Sequence, residues 1–252
     1  MKLSIVIPAR NEAGNIGETV DKLVNRLKRD RIEYELVVID DGSSDGTLEV
    51  IESRAQADPN IRPIRNPGRP GFGNAIRCGL DAFTGDAVVI VMADNSDDPD
   101  DVVKYYYILR DKAECAFGSR WIRGGKVYNY PVIKRIVNRL ANTFIRILFR
   151  LHYNDVTNAF KGYRRSVIDG CRPLLSPHFN LTVEIPLKAI VRGYSNEIVP
   201  ISWKNRKQGT SALKIEEMGT RYLFIVLNIW LEKLLTHQDY HRPSSETFIP
   251  LK

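Results

Sequence analysis

An acidic segment, VVIVMADNSDDPDD at residues 88–101, contains five aspartates directly after an apolar run. Carboxylate oxygens are the ligands that Mg²⁺ prefers, usually one or two of them together with substrate phosphates. A divalent cation would relieve the repulsion among these acids and bridge to a diphosphate. The alternative is local, because Pro99 suits the first turn of a helix that Asp97 or Asp98 can cap. Capping does not explain Asp94 at the end of the predicted strand, and we interpret Asp94 as a ligand-binding residue.

A second acidic pair, Asp40 and Asp41, ends the apolar run of VVIDDGSSDGT. Gly42 lets the backbone turn sharply behind the pair. Carboxylates at such a strand end accept hydrogen bonds from a base N–H or from ribose hydroxyls. The alternative is a solvated pair beside a helix that Asp45 caps. We expect Asp45 to be this cap and the pair to bind a ligand.

Two further turns precede predicted helices and contain groups that hydrogen-bond to ligands. In IPARNEAGNI a strand ends at Pro8, and the turn behind it offers backbone N–H groups and polar side chains. A plain strand-to-helix turn explains this segment equally well. The second turn, in NPGRPGFGNAIRCGL, resembles a weak phosphate cradle without the spacing of a Walker loop or a dinucleotide fingerprint. Its glycines are Gly68, Gly71 and Gly73, and its arginines are Arg65 and Arg69.

Strand and helix patterns alternate through residues 1–120, and this alternation positions the acids. LSIVIPA, YELVVIDD and AVVIVMAD are typical of buried strands, IRPIRN and ECAFGSRW of two more, and segments of helical spacing separate them. Such alternation predicts an α/β fold with a parallel sheet and helices on both faces. Because parallel sheets bind ligands beyond the carboxyl ends of their strands, we expect Asp40, Asp41 and Asp94 to meet in one crevice.

The second half of the chain is predicted to contain two amphipathic helices. Residues 132–151 mix arginine and lysine with bulky apolar residues, and residues 219–235 are more apolar. Interfacial helices combine these features, so contact with a membrane surface competes with a place in a helical core. A helix around LTVEIPLKAIVRGY and a strand at NEIVPISWKNR complete the pattern, whereas NDVTNAFKGYRR is a polar segment.

The net charge of +7 is distributed unevenly along the 252 residues. Residues 1–100 contain 12 basic and 18 acidic side chains (12 − 18 = −6), and the remainder contains 25 and 12 (25 − 12 = +13). A basic half favours nucleic acid, anionic lipid or a phosphorylated substrate as the ligand. We expect no nucleic-acid partner, because no nucleic-acid motif is present and the acidic half would repel a phosphate backbone.

The beginning of the chain and its cysteines indicate a cytoplasmic protein. MKLSIVIPARNE becomes polar too early for a secretory signal, and no apolar run reaches the roughly 18 residues of a membrane span. The three cysteines have no metal-type spacing, so we expect free thiols in a reducing compartment.

Taken together in this order, the segments resemble those of family 2 glycosyltransferases. The resemblance is strongest to the branch that makes polyprenyl-phosphate sugars, the dolichol-phosphate mannose synthase type. IPARNEAGNI and VVIDDGSSDGT resemble the base- and ribose-binding segments of that family, and ADNSDDP stands where it has an Asp-x-Asp metal motif. FGSRW, NAFKGYRR and KNRKQGTSALKI also match, so the resemblance covers roughly residues 1–235. One departure is the spacing Asp94-Asn95-Ser96-Asp97, which displaces the second acid.

This resemblance implies a Rossmann-like, nucleotide-sugar-binding single domain of the GT-A type, with a mainly parallel central sheet and C-terminal amphipathic helices. The domain would cover residues 1–236, with a nucleotide-sugar-binding half at 1–120 and an acceptor- and membrane-facing half at 121–236. Residues 237–252 would form a loose polar tail.

The resemblance also implies roles for individual residues. Those expected to bind the nucleotide are Pro8, Ala9, Arg10, Asn11, Glu12, Asp40, Asp41 and Gly71. Asp94 and Asp97 would hold Mg²⁺ or Mn²⁺, although Asp97 also remains a candidate helix cap. The catalytic set is Asp94, Asp97, Arg120, Arg206 and Glu184, and the acceptor-binding set is Ser119, Lys161 and Arg139. For each of the cations Arg120, Lys161 and Arg206, the alternative is a surface salt bridge.

The implied reaction is inverting transfer of a hexose from a nucleotide sugar, of the GDP-mannose or UDP-glucose type, to a polyprenyl phosphate. The protein would be peripheral at the inner face of the cell membrane. A phosphate monoester has a second pKa of about 6, so this acceptor is already anionic and requires no strong base. A saccharide or soluble acceptor is the alternative, and Glu184 or Asp97 would then be the base. The displaced acid also allows a non-catalytic nucleotide-sugar sensor.

Overall fold

Short runs rich in valine and isoleucine form most of the strands, as their composition predicts. The computed structural model describes residues 1–204, 215–236, 239–241 and 248–251. Its strands are β1 (Leu3–Ala9), β2 (Tyr34–Asp40), β3 (Ile61–Arg65), β4 (Ala87–Ile90), β5 (Cys115–Ser119), β6 (Lys126–Tyr128), β7 (Lys161–Arg164), β8 (Asn196–Pro200) and β9 (Ser202–Lys204). Its helices are α1 (Ala13–Arg29), α2 (Thr47–Ala57), α3 (Phe72–Ala82), α4 (Pro99–Asp111), α5 (Val132–Phe149), α6 (Arg165–Gly170), α7 (Leu181–Val191) and α8 (Ile215–Leu235).

Seven strands form one sheet in the order β3-β2-β1-β4-β7-β5-β8, while β6 and β9 form a separate parallel pair. Every neighbouring pair in the large sheet is parallel except those of β7, which confirms the predicted mainly parallel α/β fold. The order in which strands are added to the sheet reverses between β1 and β4. Strands β2 and β3 lie on one side of β1, and β4 lies on the other side. Ligands bind at such switch points, beyond the carboxyl ends of the strands.

Alternate residues of the strands enter two separate hydrophobic cores. On β1, Ile5 and Ile7 pack into the core that contains α1, α2 and α4, whereas Val6 points into the core that contains α3 and α5–α8. Both faces of the sheet are therefore covered by helices, as the near-continuous apolar strands predict. The two layers fix the positions of the loops at the carboxyl ends.

Strand β7 is the element that the sequence patterns missed. It lies within the polar segment NDVTNAFKGYRR and pairs antiparallel with both β4 and β5. The sequence KGYR has no apolar alternation, yet all four residues are buried. Its place in the sheet depends on partners far away in the chain, and the periodicity of a single segment does not contain that information.

Helices α5 and α8 confirm the two predicted amphipathic helices, and both leave large apolar side chains exposed. Along α5 the exposed fractions reach 72% at Ile133, 67% at Leu140 and 69% at Ile147. Along α8, Phe224 is 63% and Leu235 is 67% exposed. Within the described ranges, no helix has the length and apolar character required to cross a bilayer.

Part of the predicted polar tail contacts the domain. The Ile249 carbonyl accepts a hydrogen bond from the Arg164 guanidinium at 2.6 Å, and the Leu251 N–H donates to the Arg110 carbonyl at 3.0 Å. The Phe248 ring lies 4.2 Å from the Arg164 guanidinium carbon. Residues 248–251 are therefore attached beside the end of α4.

Candidate active site

The turns behind β1 and β2 are bonded to each other at the switch point. Pro8 and Ala9 are buried within β1, and the Ala9 carbonyl accepts a hydrogen bond from the Asp41 N–H at 2.8 Å. Asn11 has a positive φ of 54°, which directs its side-chain oxygen to the Ser44 N–H at 2.9 Å. Arg10 and Asn11 are exposed at the crevice, and Glu12 is half-buried before α1. All five residues of the predicted base-binding segment thus lie at one strand end.

Asp40 and Asp41 are both nearly buried and have different surroundings. Asp40 accepts a hydrogen bond from the Ser43 N–H at 3.2 Å. Asp41 accepts from the Asn66 amide at 2.7 Å and from the Gly71 N–H at 2.8 Å, so it connects β2 to the glycine turn before α3. Sequence patterns did not identify Asn66, although it directly follows β3 at the same edge of the sheet.

The helix behind this pair begins differently from the prediction. Its N-cap position is Gly46, with a left-handed φ of 87°, rather than Asp45. Asp45 nevertheless accepts a hydrogen bond from the Thr47 N–H at 3.1 Å and one from the Ala13 N–H at 3.1 Å. The carboxylate therefore joins the starts of α1 and α2.

The five aspartates of the acidic segment have distinct roles. Asp98 is the N-cap of α4 and accepts from the Asp100 N–H at 2.9 Å, so the candidate cap at Asp97 was wrong. Asp97 instead accepts from the Met92 N–H at 2.9 Å, and Asp94 accepts from the Ser96 N–H at 3.2 Å. Asp101 accepts from the Ser202 N–H at 2.9 Å. Asp94 and Asp97 are thus the two acids not assigned to the start of the helix.

The carboxylates of Asp94 and Asp97 are suitable ligands for a hard divalent cation. Burial raises the pKa of Asp97 to about 7, the Met92 N–H opposes this shift, and the negative charge of Asp94 adds to it. A cation would reverse this preference for the neutral form. The Ser96 hydroxyl, on a residue only 4% exposed, has no hydrogen-bond partner within the described part of the chain. The loop therefore combines two interacting carboxylates with a buried, unpaired hydroxyl, and Mg²⁺ or Mn²⁺ fits this donor set.

The number of protein ligands would be small. Among the described residues, no group of three or more histidine, cysteine, aspartate or glutamate side chains could hold a metal ion. Mg²⁺ commonly binds through one or two carboxylates, with the remaining positions taken by water and substrate phosphates. Asp94 and Asp97 match that pattern and leave positions for a diphosphate.

Asp97→Asn is expected to stabilise the metal-free protein at high pH and to have little effect at low pH. The pKa of Asp97 in the folded state, about 7, is above the ordinary 3.8, so its ionisation lowers stability as the pH rises from about 4 to about 7. Asparagine cannot ionise and retains an acceptor for the Met92 N–H. Thermal unfolding in chelator at about pH 5 and about pH 8 measures the difference. A variant with the same Tm advantage at both pH values would contradict this assignment.

Arg120 is held rigidly next to the acidic loop. Its guanidinium donates two hydrogen bonds to Asp155, at 2.8 and 2.7 Å, and its backbone N–H donates a third at 3.0 Å. Burial lowers the pKa of Arg120, but the charge and hydrogen bonds of Asp155 outweigh this and raise it above its ordinary value. The positive charge of Arg120 partly opposes the rise in the pKa of Asp97. The two groups are therefore close enough to interact electrostatically.

An aromatic cluster, Trp121, Tyr130 and Trp203, surrounds the Arg120 guanidinium. The guanidinium carbon is 5.9, 5.6 and 5.9 Å from the three ring centroids. Such contacts favour a cation, so the cluster and Asp155 together fix one orientation of Arg120. The cluster draws residues from the loops after β5 and β6 and from β9, and sequence patterns did not predict it.

Ser119 and Arg139 meet at a shared partner, Asn154. The Ser119 hydroxyl donates to the Asn154 side-chain oxygen at 2.6 Å, and the Arg139 guanidinium donates to the Asn154 carbonyl at 3.1 Å. Arg135 and Arg139 approach the Trp121 ring at 5.2 and 5.4 Å. A groove of about 390 Å³ runs beside them along α5. The structure thus brings Ser119 and Arg139, two of the predicted acceptor-binding residues, together beside the exposed helix α5.

Lys161 and Glu184 lie in the interior and are fully buried. The Lys161 ammonium donates to the carbonyls of Val156, Asn158 and Thr182, which uses all three of its N–H donors. Glu184 accepts from the N–H groups of residues 175 and 176, and from the ammonium of residue 188. This placement does not support direct contact of Lys161 or Glu184 with substrate. The remaining predicted residue, Arg206, lies outside the described residues.

Comparisons with known proteins agree with the fold described above. The family model described as glycosyl transferase family 2 matches residues 4–171, from β1 to the end of α6. The chain belongs to this family. It is therefore a glycosyltransferase with the GT-A-like fold that its sequence resemblance implied.

Two relatives show which branch the chain is similar to. Polyprenol monophosphomannose synthase of Mycolicibacterium smegmatis is 29% identical over 233 residues, which cover 86% of this chain and 86% of that protein. Dolichol-phosphate mannosyltransferase of Pyrococcus furiosus is 31% identical over 218 residues, or 85% of this chain. The match covers 60% of the Pyrococcus protein.

The fold is also shared with a solved structure. Glucosyl-3-phosphoglycerate synthase of Mycobacterium tuberculosis, in complex with Mn²⁺, uridine diphosphate and glucosyl-3-phosphoglycerate, superposes with a TM-score of 0.66. The superposition covers 92% of this chain and 79% of that chain at 20% identity. At this level of identity the likeness establishes the fold.

Proposed function

We propose that the protein transfers a hexose from a nucleotide sugar to a polyprenyl phosphate, with inversion at the anomeric carbon. The main support is the position of Arg120, which lies between the acidic loop and the basic, exposed helix α5. Its charge acts on Asp97, and it shares the Trp121 ring with Arg135 and Arg139. The names of the two relatives, a polyprenol and a dolichol-phosphate enzyme, point to the same acceptor class.

The donor would bind across the switch point. Asp40 and Asp41 would accept hydrogen bonds from the nucleoside, and the turn at residues 8–12 would enclose the base. The donor would be of the GDP-mannose or UDP-glucose type. A divalent cation at Asp94 and Asp97 would supply charge neutralisation for the diphosphate leaving group. The Arg120 charge beside Asp97 would add to this stabilisation.

The acceptor phosphate would lie on the Arg120 side of the crevice. With a second pKa of about 6 it is mostly ionised at neutral pH, so the protein must position it rather than deprotonate it. Arg139 and Arg206 are the proposed acceptor contacts. Ser119 is buried and its hydroxyl is bonded to Asn154 and to the Trp121 N–H, so it would position the loop after β5 rather than touch the acceptor. Glu184 fits this scheme as a positioning residue, because it fixes the backbone of residues 175 and 176.

A lipid acceptor requires access to a membrane surface, and α5 is suited to provide it. Val132, Ile133, Ile136 and Leu140 are exposed on one side of the helix, close to the exposed cations Lys134 and Arg135. Interfacial helices combine an apolar face with basic residues in this way. We propose peripheral attachment at the cytoplasmic face of the membrane through α5 and α8.

The test is incubation of purified protein with Mg²⁺ or Mn²⁺, a panel of nucleotide hexoses, and polyprenyl phosphate in detergent or vesicles. We expect one nucleotide hexose to give a glycolipid, and chelation to abolish its formation. A parallel set replaces the lipid with soluble phosphate esters and saccharides. Turnover confined to that set would favour the saccharide or soluble acceptor, and binding without turnover in either set would favour the sensor.

The double variant Ile136→Glu, Leu140→Glu is expected to lower flotation with anionic vesicles by about 10-fold or more. Burial of an isoleucine or leucine side chain in the membrane contributes about 1.5–3 kcal/mol to the binding free energy, and the added carboxylates are repelled by anionic lipid. Because Ile136 is 55% and Leu140 is 67% exposed, folding should be unaffected. Gln56→Glu, at an exposed position of α2, is the matched control for added charge. Unchanged flotation of the double variant would contradict attachment through α5.

A further inference from the structure

Apolar packing holds only one end of helix α5. Its buried apolar side chains, Ile145 and Phe149, lie toward its C-terminal end. None of residues 132–141 is buried, although these residues include Arg135 and Arg139 beside the Trp121 ring. Polar contacts must therefore fix the part of α5 that carries the proposed acceptor cations.

Thr157 makes the hydrogen bonds that attach the middle of α5. Its hydroxyl oxygen accepts from the side-chain amides of Asn138 and Asn142, each at 2.8 Å, and its N–H donates to the Asn142 side-chain oxygen at 3.2 Å. Asn142 is only 1% exposed. Because hydrogen bonds are directional and apolar contacts are not, these three bonds specify one position of the helix. We refer to Asn138, Asn142 and Thr157 as the polar anchor.

The segment that contains Thr157, NDVTN at residues 154–158, also bonds two arginines of the proposed acceptor site. The Asn154 carbonyl accepts from the Arg139 guanidinium at 3.1 Å. Asp155 accepts three hydrogen bonds from Arg120. The threonine of the polar anchor lies two residues after Asp155. One short segment therefore sets the spacing between Arg120 and the cations of α5.

Residues 154–158 are themselves held from the interior. The Lys161 ammonium of β7 donates to two carbonyls of this segment and to the Thr182 carbonyl of α7. The Asn158 amide donates to the Gly118 carbonyl of β5 at 3.2 Å. The segment is thus a fixed support, bonded to two strands and a helix, against which α5 is placed.

We propose that Thr157 and Asn142 are positioning residues for the acceptor, which hold α5 so that Arg139 and Arg120 face the same phosphate. This inference rests on the proposed function, since it requires a phosphate acceptor beside Arg120. The proposed donor contacts belong to the loops after β1, β2 and β4. The polar anchor should therefore govern use of the acceptor and leave binding of the nucleotide unchanged.

The test compares acceptor use with nucleotide affinity in Thr157→Val, by initial rates with polyprenyl phosphate and by calorimetry with a nucleoside diphosphate and Mg²⁺. Valine has the shape of threonine without its hydroxyl, so the bonds from both α5 amides are lost. Because small misplacements of reacting groups have large kinetic effects, kcat/KM for the acceptor should fall by about 10-fold or more. Nucleoside-diphosphate affinity should stay within about 2-fold of wild type.

Two further variants separate positioning from a general loss of stability. Thr157→Ser retains the hydroxyl and should restore most of the kcat/KM for the acceptor. Tyr34→Phe removes a buried hydrogen bond to Asp58 at the amino end of β2, away from the crevice, and is the matched control. It should lower the Tm and leave kcat/KM at the wild-type value. A fall in kcat/KM in Tyr34→Phe equal to that in Thr157→Val would overturn the inference.

Asn142→Ala tests the same contact from the side of the helix. Because Asn142 and Thr157 share hydrogen bonds, the effects of Asn142→Ala and Thr157→Val on acceptor kcat/KM should not add in the double variant. Fully additive effects would contradict a shared positioning role. Thr157→Ala, which shortens a half-buried side chain, replaces Thr157→Val if that variant does not fold.

The proposed function and this inference fail in distinguishable ways. If the wild-type protein makes no glycolipid from any nucleotide hexose, both are overturned. If it makes one, and Thr157→Val keeps the wild-type kcat/KM for polyprenyl phosphate, only the positioning role is overturned. If acceptor kcat/KM and nucleotide affinity fall equally, the polar anchor supports the whole site, which also overturns the positioning role.

Discussion

Asp94→Ala is expected to lower the rate of glycosyl transfer by about 10³-fold, while the protein keeps its fold and part of its affinity for the nucleoside diphosphate. Asp94 follows β4 at the switch point and its charge raises the pKa of Asp97, so the two carboxylates are close enough to interact. Without Asp94, a cation would lose one of its two proposed protein ligands. Initial rates at saturating Mg²⁺, with calorimetry for the nucleotide, measure the two effects separately.

Asp97→Ala should cause a similar loss of activity, and Asp98→Ala provides the control. Asp98 is the adjacent acid and the N-cap of α4, so its removal should cost about 1 kcal/mol of stability with nearly full activity. If the Asp97→Ala variant retained the wild-type rate, the only role of the Asp97 carboxylate would be to accept the hydrogen bond from the Met92 N–H. If Asp98→Ala lost activity as well, the whole loop rather than a ligand pair would be responsible.

The division of the acidic segment shows what sequence patterns could and could not determine. Strand ends are marked locally by apolar runs, and Asp40, Asp41 and Asp94 were correctly placed at one edge of the sheet. Assigning the cap of α4 required backbone geometry, because Pro99 is compatible with either Asp97 or Asp98 as the preceding cap. The bond from the Asp100 N–H to the Asp98 carboxylate identifies Asp98 as the cap. The order of segments identified the family, since each motif alone fits many turns.

Other parts of the site depend on contacts between distant segments. Arg120 was identified from FGSRW, but its partner Asp155 lies 35 residues later in a polar segment without a predicted element. Lys161 was predicted to bind the acceptor, and only the antiparallel placement of β7 shows that three carbonyls surround its ammonium in the interior. Charge type alone does not reveal whether a side chain faces solvent or the interior.

Buried ion pairs hold two backbone segments of this protein in place. The Arg120–Asp155 and Lys188–Glu184 pairs are each almost fully buried. Each pair fixes a backbone segment at the crevice, namely the loop after β5 and residues 175–176. A buried pair has little net stabilising effect compared with apolar packing, but removal of one partner leaves an uncompensated charge. Such pairs therefore position the site more than they stabilise the fold.

Asp155→Asn is expected to lower the free energy of unfolding by about 3 kcal/mol, within the 3–5 kcal/mol typical of a broken buried pair. Asparagine retains the shape of aspartate, but it leaves the Arg120 charge uncompensated in a site where arginine and aspartate are 6% and 0% exposed. Denaturant unfolding with a shared m-value measures the change. Asp81→Asn, which breaks an exposed pair with Arg172, is the matched control and should cost less than about 1 kcal/mol.

A double variant then separates charge burial from loss of contacts. Arg120→Met, Asp155→Leu should recover much of the stability lost in Asp155→Asn, because apolar replacement of both partners removes the buried charge. It should not recover activity, since the guanidinium between the acidic loop and α5 is absent. Recovery of both properties would contradict the proposed role of Arg120 at the acceptor. Recovery of neither would mean that Asp155 acts mainly through its bond to the Arg120 backbone N–H, which no side chain at position 120 can replace.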